Sequence, residues 1–123
     1  MKNDKVKFKK EFKRRLYSFV LRLITFFDSL PKDRVTQIIV AQLTRSGTSI
    51  IANYIEAQAS SSKRDFTNFF TYALKSANES KLWLAILRGT QRAKKEEVDW
   101  FLKELEEISK VLASSILTLK DKK

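Results

Sequence analysis

The chain has no cysteine and no histidine, and only one proline and two glycines among 123 residues. Without cysteine there is no disulfide framework and no thiolate metal site. Without histidine, Ser-His-Asp catalysis and most metal sites are excluded. The Glu-x-x-His pairs of di-iron helical bundles are absent for the same reason. The glycines, Gly47 and Gly89, form no phosphate-cradling loop, and with Pro31 they leave room for only two or three sharp turns. Long apolar runs are also missing. The longest strictly apolar run, Leu82 to Leu87, falls far short of the roughly 18 residues that span a bilayer. Arg22 interrupts the apolar stretch from Phe19 to Phe27, and no small-residue cleavage site follows, so no targeting signal is read. The absence of cysteine fits a reducing compartment. The expectation is a soluble cytoplasmic protein, not an enzyme, with no cofactor, no metal and no membrane association.

Basic charge, by contrast, is abundant. The formal net charge is +11, which attracts polyanions, nucleic acid first and anionic membrane second. Residues 1–22 hold nine cations (Lys2, Lys5, Lys7, Lys9, Lys10, Lys13, Arg14, Arg15 and Arg22) against Asp4 and Glu11, a local net of +7. A second cluster, Arg88, Arg92, Lys94 and Lys95, surrounds a predicted turn, and the chain ends in Lys120, Lys122 and Lys123. Glu96, Glu97, Asp99, Glu104, Glu106 and Glu107 crowd one segment. Those nearest its start suit a helix N-terminus, and the others read as a solvated face.

Apolar periodicity predicts four helices and no strand. The first runs from about Phe8 to Ser29, its stripe made by Phe8, Phe12, Leu16, Phe19, Leu23 and Phe26. Leu30-Pro31 stops it, because a residue preceding proline disfavours the helical region. The second runs from about Asp33 to Gln58 on Ile39, Leu43, Ile50, Tyr54 and Ala57, with Val35, Ile38, Val40 and Ile51 on other sides. A helix apolar on several sides is usually surrounded, which predicts contact with another subunit. Ser60-Ser61-Ser62 is a loop, with Ser62 as N-cap of the third helix. That helix runs to Arg88, buries Phe66, Phe69, Phe70, Ala73, Ala77, Leu84 and Leu87, and stops at Gly89. The fourth runs from about Lys95 to Leu119 on Val98, Phe101, Leu102, Leu105, Ile108, Leu112 and Leu119. Equal lengths and short turns predict one all-α domain, an antiparallel up-down four-helix bundle over residues 1–123, with a basic extension at 1–7 and a basic tail at 120–123.

One polar run breaks the second helix. On a wheel, Arg45, Ser49, Asn53 and Glu56 share a stripe about 80° wide. So narrow a set of cation, anion and small hydrogen-bonding groups predicts a structural polar seam between helices, in which Arg45 pairs with Glu56 or Glu79 of a neighbouring helix or subunit and Ser49, Asn53 and Ser76 satisfy what remains. The other reading of the same groups is a ligand pocket. Gly47 would permit close backbone approach at a cost of about 1 kcal/mol relative to alanine.

The run Arg45 to Ala57 resembles the signature of the 23S rRNA intervening-sequence protein family, roughly Arg-x-Ala/Ser-x-Ser-Ile-Pro-x-Asn-Ile-Ala-Glu-Gly. Arg45, Ser49, Ile50, Asn53 and Glu56 match in register. The resemblance continues through Ser62-Lys63-Arg64-Asp65-Phe66 and Ser76-Ala77-Asn78-Glu79. Ile51 stands where the family has proline and Ala57 where it has glycine, so the second helix is predicted to be straighter here. The resemblance implies a ring-like homopentamer. A related branch comprises the accessory proteins of diversity-generating retroelements, basic pentamers that bind nucleic acid and a reverse transcriptase. The family supplies no catalytic site.

Two functional readings follow. In the first, an oligomer binds RNA or DNA through phosphate contacts from Lys9, Lys10, Lys13, Arg14, Arg22, Arg88, Arg92, Lys94 and Lys95. Five copies would carry a formal +55, and binding would depend steeply on salt. In the second, the chain is a scaffold that docks a protein such as a reverse transcriptase, and nucleic-acid affinity is incidental. Most aromatic residues fit core stripes. Trp83 and Trp100 lie off them and are predicted as subunit-interface anchors.

Overall fold

The computed structural model describes residues 2–121, and Met1, Lys122 and Lys123 lie outside them. It is a packed bundle of four helices, α1 (Lys2–Phe27), α2 (Arg34–Ala59), α3 (Lys63–Gly89) and α4 (Lys95–Asp121), with no strand among the described residues. Each is 26 or 27 residues long, about 40 Å at 1.5 Å per residue. No helix is long and apolar enough to cross a membrane among the described residues.

Local chemistry sets the helix ends. Asp33 caps α2: its carboxylate accepts the Thr36 amide at 3.3 Å and the Thr36 hydroxyl at 2.6 Å. Ser62 caps α3 by accepting the Asp65 amide at 3.1 Å. Three boundaries differ from the sequence prediction. The segment predicted as an extension is helical, because it contains no glycine or proline and lysine is a good helix former. At its other end α1 closes at Phe27, two residues early, because Asp28, Ser29 and Leu30 tighten to i→i−3 hydrogen bonds before Pro31. Gly89 does not stop α3. It is still helical, and the residue with positive φ is Gln91, at 58°. The amides of Arg92 and Ala93 then turn back onto the Leu87 carbonyl, at 3.0 and 3.2 Å.

The core follows the predicted stripes on α2. Ile39, Leu43, Ile50, Tyr54 and Ala57 are buried, and Ser46 and Gly47 complete the strip. Gly47 is needed because a Cβ there would sit 2.6 Å from Leu23 Cδ2 of α1. On α3 small residues face α2: Ala73, Ala77 and Ser80 are buried, and Ser80 donates to Ser46 at 2.8 Å. Close approach makes α2–α3 the most extensive pair. The pairs α3–α4 and α1–α2 follow, and α1–α4 is the thinnest. Several predicted core residues are displaced from the core. Phe8 is 52% exposed, and Phe66, Phe69, Leu102 and Leu119 are only half-buried. Ile116, absent from the predicted stripe, is buried instead.

Candidate nucleic-acid interface

Eight of the nine predicted phosphate-binding cations fall into two groups at opposite ends of the bundle. Lys9, Lys10, Lys13 and Arg14 are exposed on the N-terminal half of α1, and no carboxylate pairs with them among the described residues. Because α1 begins at Lys2, Lys7 joins Lys10, Lys13 and Arg14 on the side turned away from the core. Sequence reasoning missed Lys7 by placing it outside the helix. The same outward side of α1 continues as the exposed apolar residues Tyr17, Leu21 and Ile24.

The second group is largely committed to the fold. Arg88 and Lys95 both donate to Asp99, at 2.6 and 2.5 Å. Arg92 donates to the buried Thr36 hydroxyl at 3.0 Å and lies 3.6 Å from Asp33, which ties the α3–α4 turn to the start of α2. Lys94 is exposed without an ionic partner. The ninth residue, Arg22, lies apart, stacked 3.6 Å above the Trp100 ring. Arg15 nearby is neutralised by a bidentate pair with Glu104, at 2.7 and 2.9 Å.

These contacts shift acidities. The hydrogen bond from Lys95, then that from Arg88, holds the Asp99 carboxyl below the usual aspartate range. Bonds from the Thr36 hydroxyl and amide lower Asp33 in the same way. A carboxylate depressed in the folded state stabilises above its unfolded pKa, about 3.9, and that contribution is lost as pH falls through the folded value. Asp33→Asn is therefore expected to flatten the acid-side decline of Tm, measured by circular dichroism from neutral pH downward. An unchanged decline would remove Asp33 from the acid response.

The polar seam lies along the α2–α3 surface. Arg45 pairs with Glu79 and with Gln42, and Glu79 also accepts the Trp83 indole N–H at 3.0 Å. Ser76 donates to Ser49 at 3.0 Å, and the Asn53 amide donates to the Ser49 hydroxyl at 2.9 Å. Glu56 stands apart, exposed, with no hydrogen bond or ion pair among the described residues. The Arg45 side chain is 59% exposed, so within one chain this is a surface ion pair. The buried polar contact is Ser46–Ser80. Of the two off-stripe tryptophans, Trp83 is half-buried and Trp100 is 37% exposed. Among the described residues no group of three acidic side chains could hold a metal ion.

The sequence profile of a family described as 23S rRNA-intervening sequence protein matches residues 9–114. A similar solved structure is the 1.70 Å crystal structure of a protein of unknown function from the S23 ribosomal protein family of Bacteroides thetaiotaomicron VPI-5482. It is 33% identical, with a TM-score of 0.81, over 88% of this chain and 96% of that one. No curated protein matches the chain.

Proposed function

The chain belongs to the 23S rRNA-intervening sequence protein family, and from that premise we propose that it is a non-enzymatic, oligomeric protein that binds nucleic acid through phosphate contacts. The contacts are made by the basic face of α1. What supports this is charge concentrated in one place: Lys5, Lys7, Lys9, Lys10, Lys13 and Arg14 are all exposed on one helix without a carboxylate partner among the described residues. Side chains that already hold a carboxylate gain little from a phosphate, and these six are free to do so. Lysine and arginine on a smooth helix face carry no base-reading pattern, so binding is sequence-tolerant.

The helices run up and down, antiparallel. Supporting this, the starts of α1 and α3 meet the ends of α2 and α4 around one cavity, while Pro31 and Arg92 line another. The assembly is a homopentamer, as the family resemblance implies. Exposed Tyr17, Leu21 and Ile24 on α1 and Val35 and Ile38 on α2 supply apolar surface for it.

The test is fluorescence anisotropy of labelled single-stranded RNA with nuclease-treated protein across a salt series. If each of the six α1 cations neutralises one phosphate, the log–log slope is about −4 per protomer. Weak, salt-insensitive binding would overturn the reading and favour a protein-docking scaffold.

Arg45→Ala separates assembly from binding. An exposed ion pair contributes about 0–1 kcal/mol, so a single chain is expected to lose little. With Arg45 at a subunit contact, the variant shifts to lower mass in light scattering while RNA affinity per protomer holds. Unchanged mass with lost RNA binding would instead place Arg45 in the ligand site.

A further inference from the structure

At one end of the bundle α1 and α4 part around an apolar cavity of about 500 Å³. The cause lies in side-chain size. α1, α2 and α3 turn Phe8, Phe12, Tyr54, Phe66 and Phe70 toward it, whereas α4 offers small side chains, Ser114, Ser115 and Thr118, between Val111 and Leu119 at the two ends of its stretch. Phe8 stays half in water: it is 52% exposed, and its ring stacks on Phe12 at 6.1 Å. Farther along the same seam, Arg15–Glu104 and the Phe19–Phe101 contact close it. The cavity is elongated: its lining runs from Asp4 to Phe12 on α1 and from Val111 to Leu119 on α4, about 12 Å along each helix.

Its polar lining is mixed, with Gln58, Ser114, Ser115 and Thr118 beside the charged groups. Lys5 and Lys9 line it together with Asp4, leaving the mouth one net positive charge. The buried Tyr54 hydroxyl reaches only the Lys9 carbonyl, at 3.5 Å, a weak bond that a better acceptor would displace. Burial raises the pKa of this phenol above the ordinary tyrosine value, so it remains a donor at neutral pH.

We propose that this cavity binds a single-chain amphiphilic carboxylate, a fatty-acid-like molecule whose chain lies along the α1–α4 slot while its carboxylate meets Lys5, Lys9 and the Tyr54 hydroxyl. An elongated apolar slot with a small convergent set of donors matches small-molecule sites in size and polarity. A nucleobase fits poorly, because its ring donors would be left unpaired against phenylalanine.

The experiment is calorimetric titration of the full chain with dodecanoate below its micellar concentration. Hexanoate tests chain length, dodecyltrimethylammonium tests charge, and phosphatidylglycerol vesicles test a bilayer source of the same chemistry. Saturable binding of one dodecanoate per protomer is expected, about tenfold or more tighter than either small probe. Ser115→Phe is expected to fill the slot and abolish binding, while leaving RNA affinity unchanged. Lys5→Gln with Lys9→Gln is expected to weaken binding about tenfold with the fold intact, and decides alone if Ser115→Phe does not fold. Absence of saturable dodecanoate binding would overturn the proposal. So would equal binding by the cationic amphiphile or by folded Ser115→Phe, or binding to vesicles alone.

Discussion

Replacing Lys10, Lys13 and Arg14 together by glutamate is expected to weaken RNA binding on the order of 100-fold near 0.1 M salt. Each phosphate contact on a single strand contributes about 0.7 to the log–log salt slope, so losing three flattens it by about 2; relative to 1 M salt, where this term vanishes, that is two decades at 0.1 M. The bundle should survive the change. All three side chains are exposed and hold no carboxylate, and acidic residues in the first half of a helix do not oppose its dipole. Melting temperature and circular dichroism are expected to stay close to those of the unaltered protein. Removing Arg88 and Lys95 makes the opposite comparison. Both are bonded to Asp99, so their loss is expected to register in stability before affinity. A triple variant that keeps both its affinity and its salt slope would take the binding surface off α1.

That contrast marks where the sequence is legible. Counting lysines and arginines identifies a basic protein, but not which cations are already neutralised. Arg88 and Arg92 look as available as Lys10 until Asp99, Asp33 and Thr36 are brought beside them from other helices and turns, whereas the Lys95–Asp99 pair is four residues apart on α4. The seam has the same limit. The wheel places Arg45 and Glu56 on one stripe, but eleven residues along a helix is about 16 Å, so a pair between them needs a second subunit. Within the chain the partner is Glu79, whose register on α3 no local pattern supplies. Features set by neighbouring residues are read directly: the Ser62 cap, the break before Pro31 and the apolar stripe of α2. Phe8 shows the converse. It lies in phase with Phe12 and Leu16, yet its burial depends on what α4 places opposite, and between Val111 and Leu119 that is Ser114, Ser115 and Thr118.

The same reasoning locates the most damaging single truncation at Phe101. The α1–α4 seam is thin, and one aromatic cluster holds much of it. Phe101 is 2% exposed, meets Phe19 edge-on at 5.8 Å, and lies 5.0 Å from Phe26 and 5.1 Å from its neighbour Trp100. Phe101→Ala removes the anchor shared by two α1 phenylalanines and leaves a cavity, which costs about 3–5 kcal/mol. Against a total stability of about 5–15 kcal/mol for an ordinary domain, this is a large fraction. Phe8→Ala, on α1 and on the same face as Phe19 and Phe26, is expected to cost about 1 kcal/mol or less, because the side chain is already half in water. Urea denaturation followed by circular dichroism measures both. Hydrogen exchange then locates the loss, with α1 amides from Leu16 to Phe27 expected to lose protection before those of α2 and α3, whose small residues hold them together without Phe101. Equal costs for the two truncations, or deprotection spread evenly over all four helices, would mean that α1 is held by the bundle as a whole and not through its contact with Phe101.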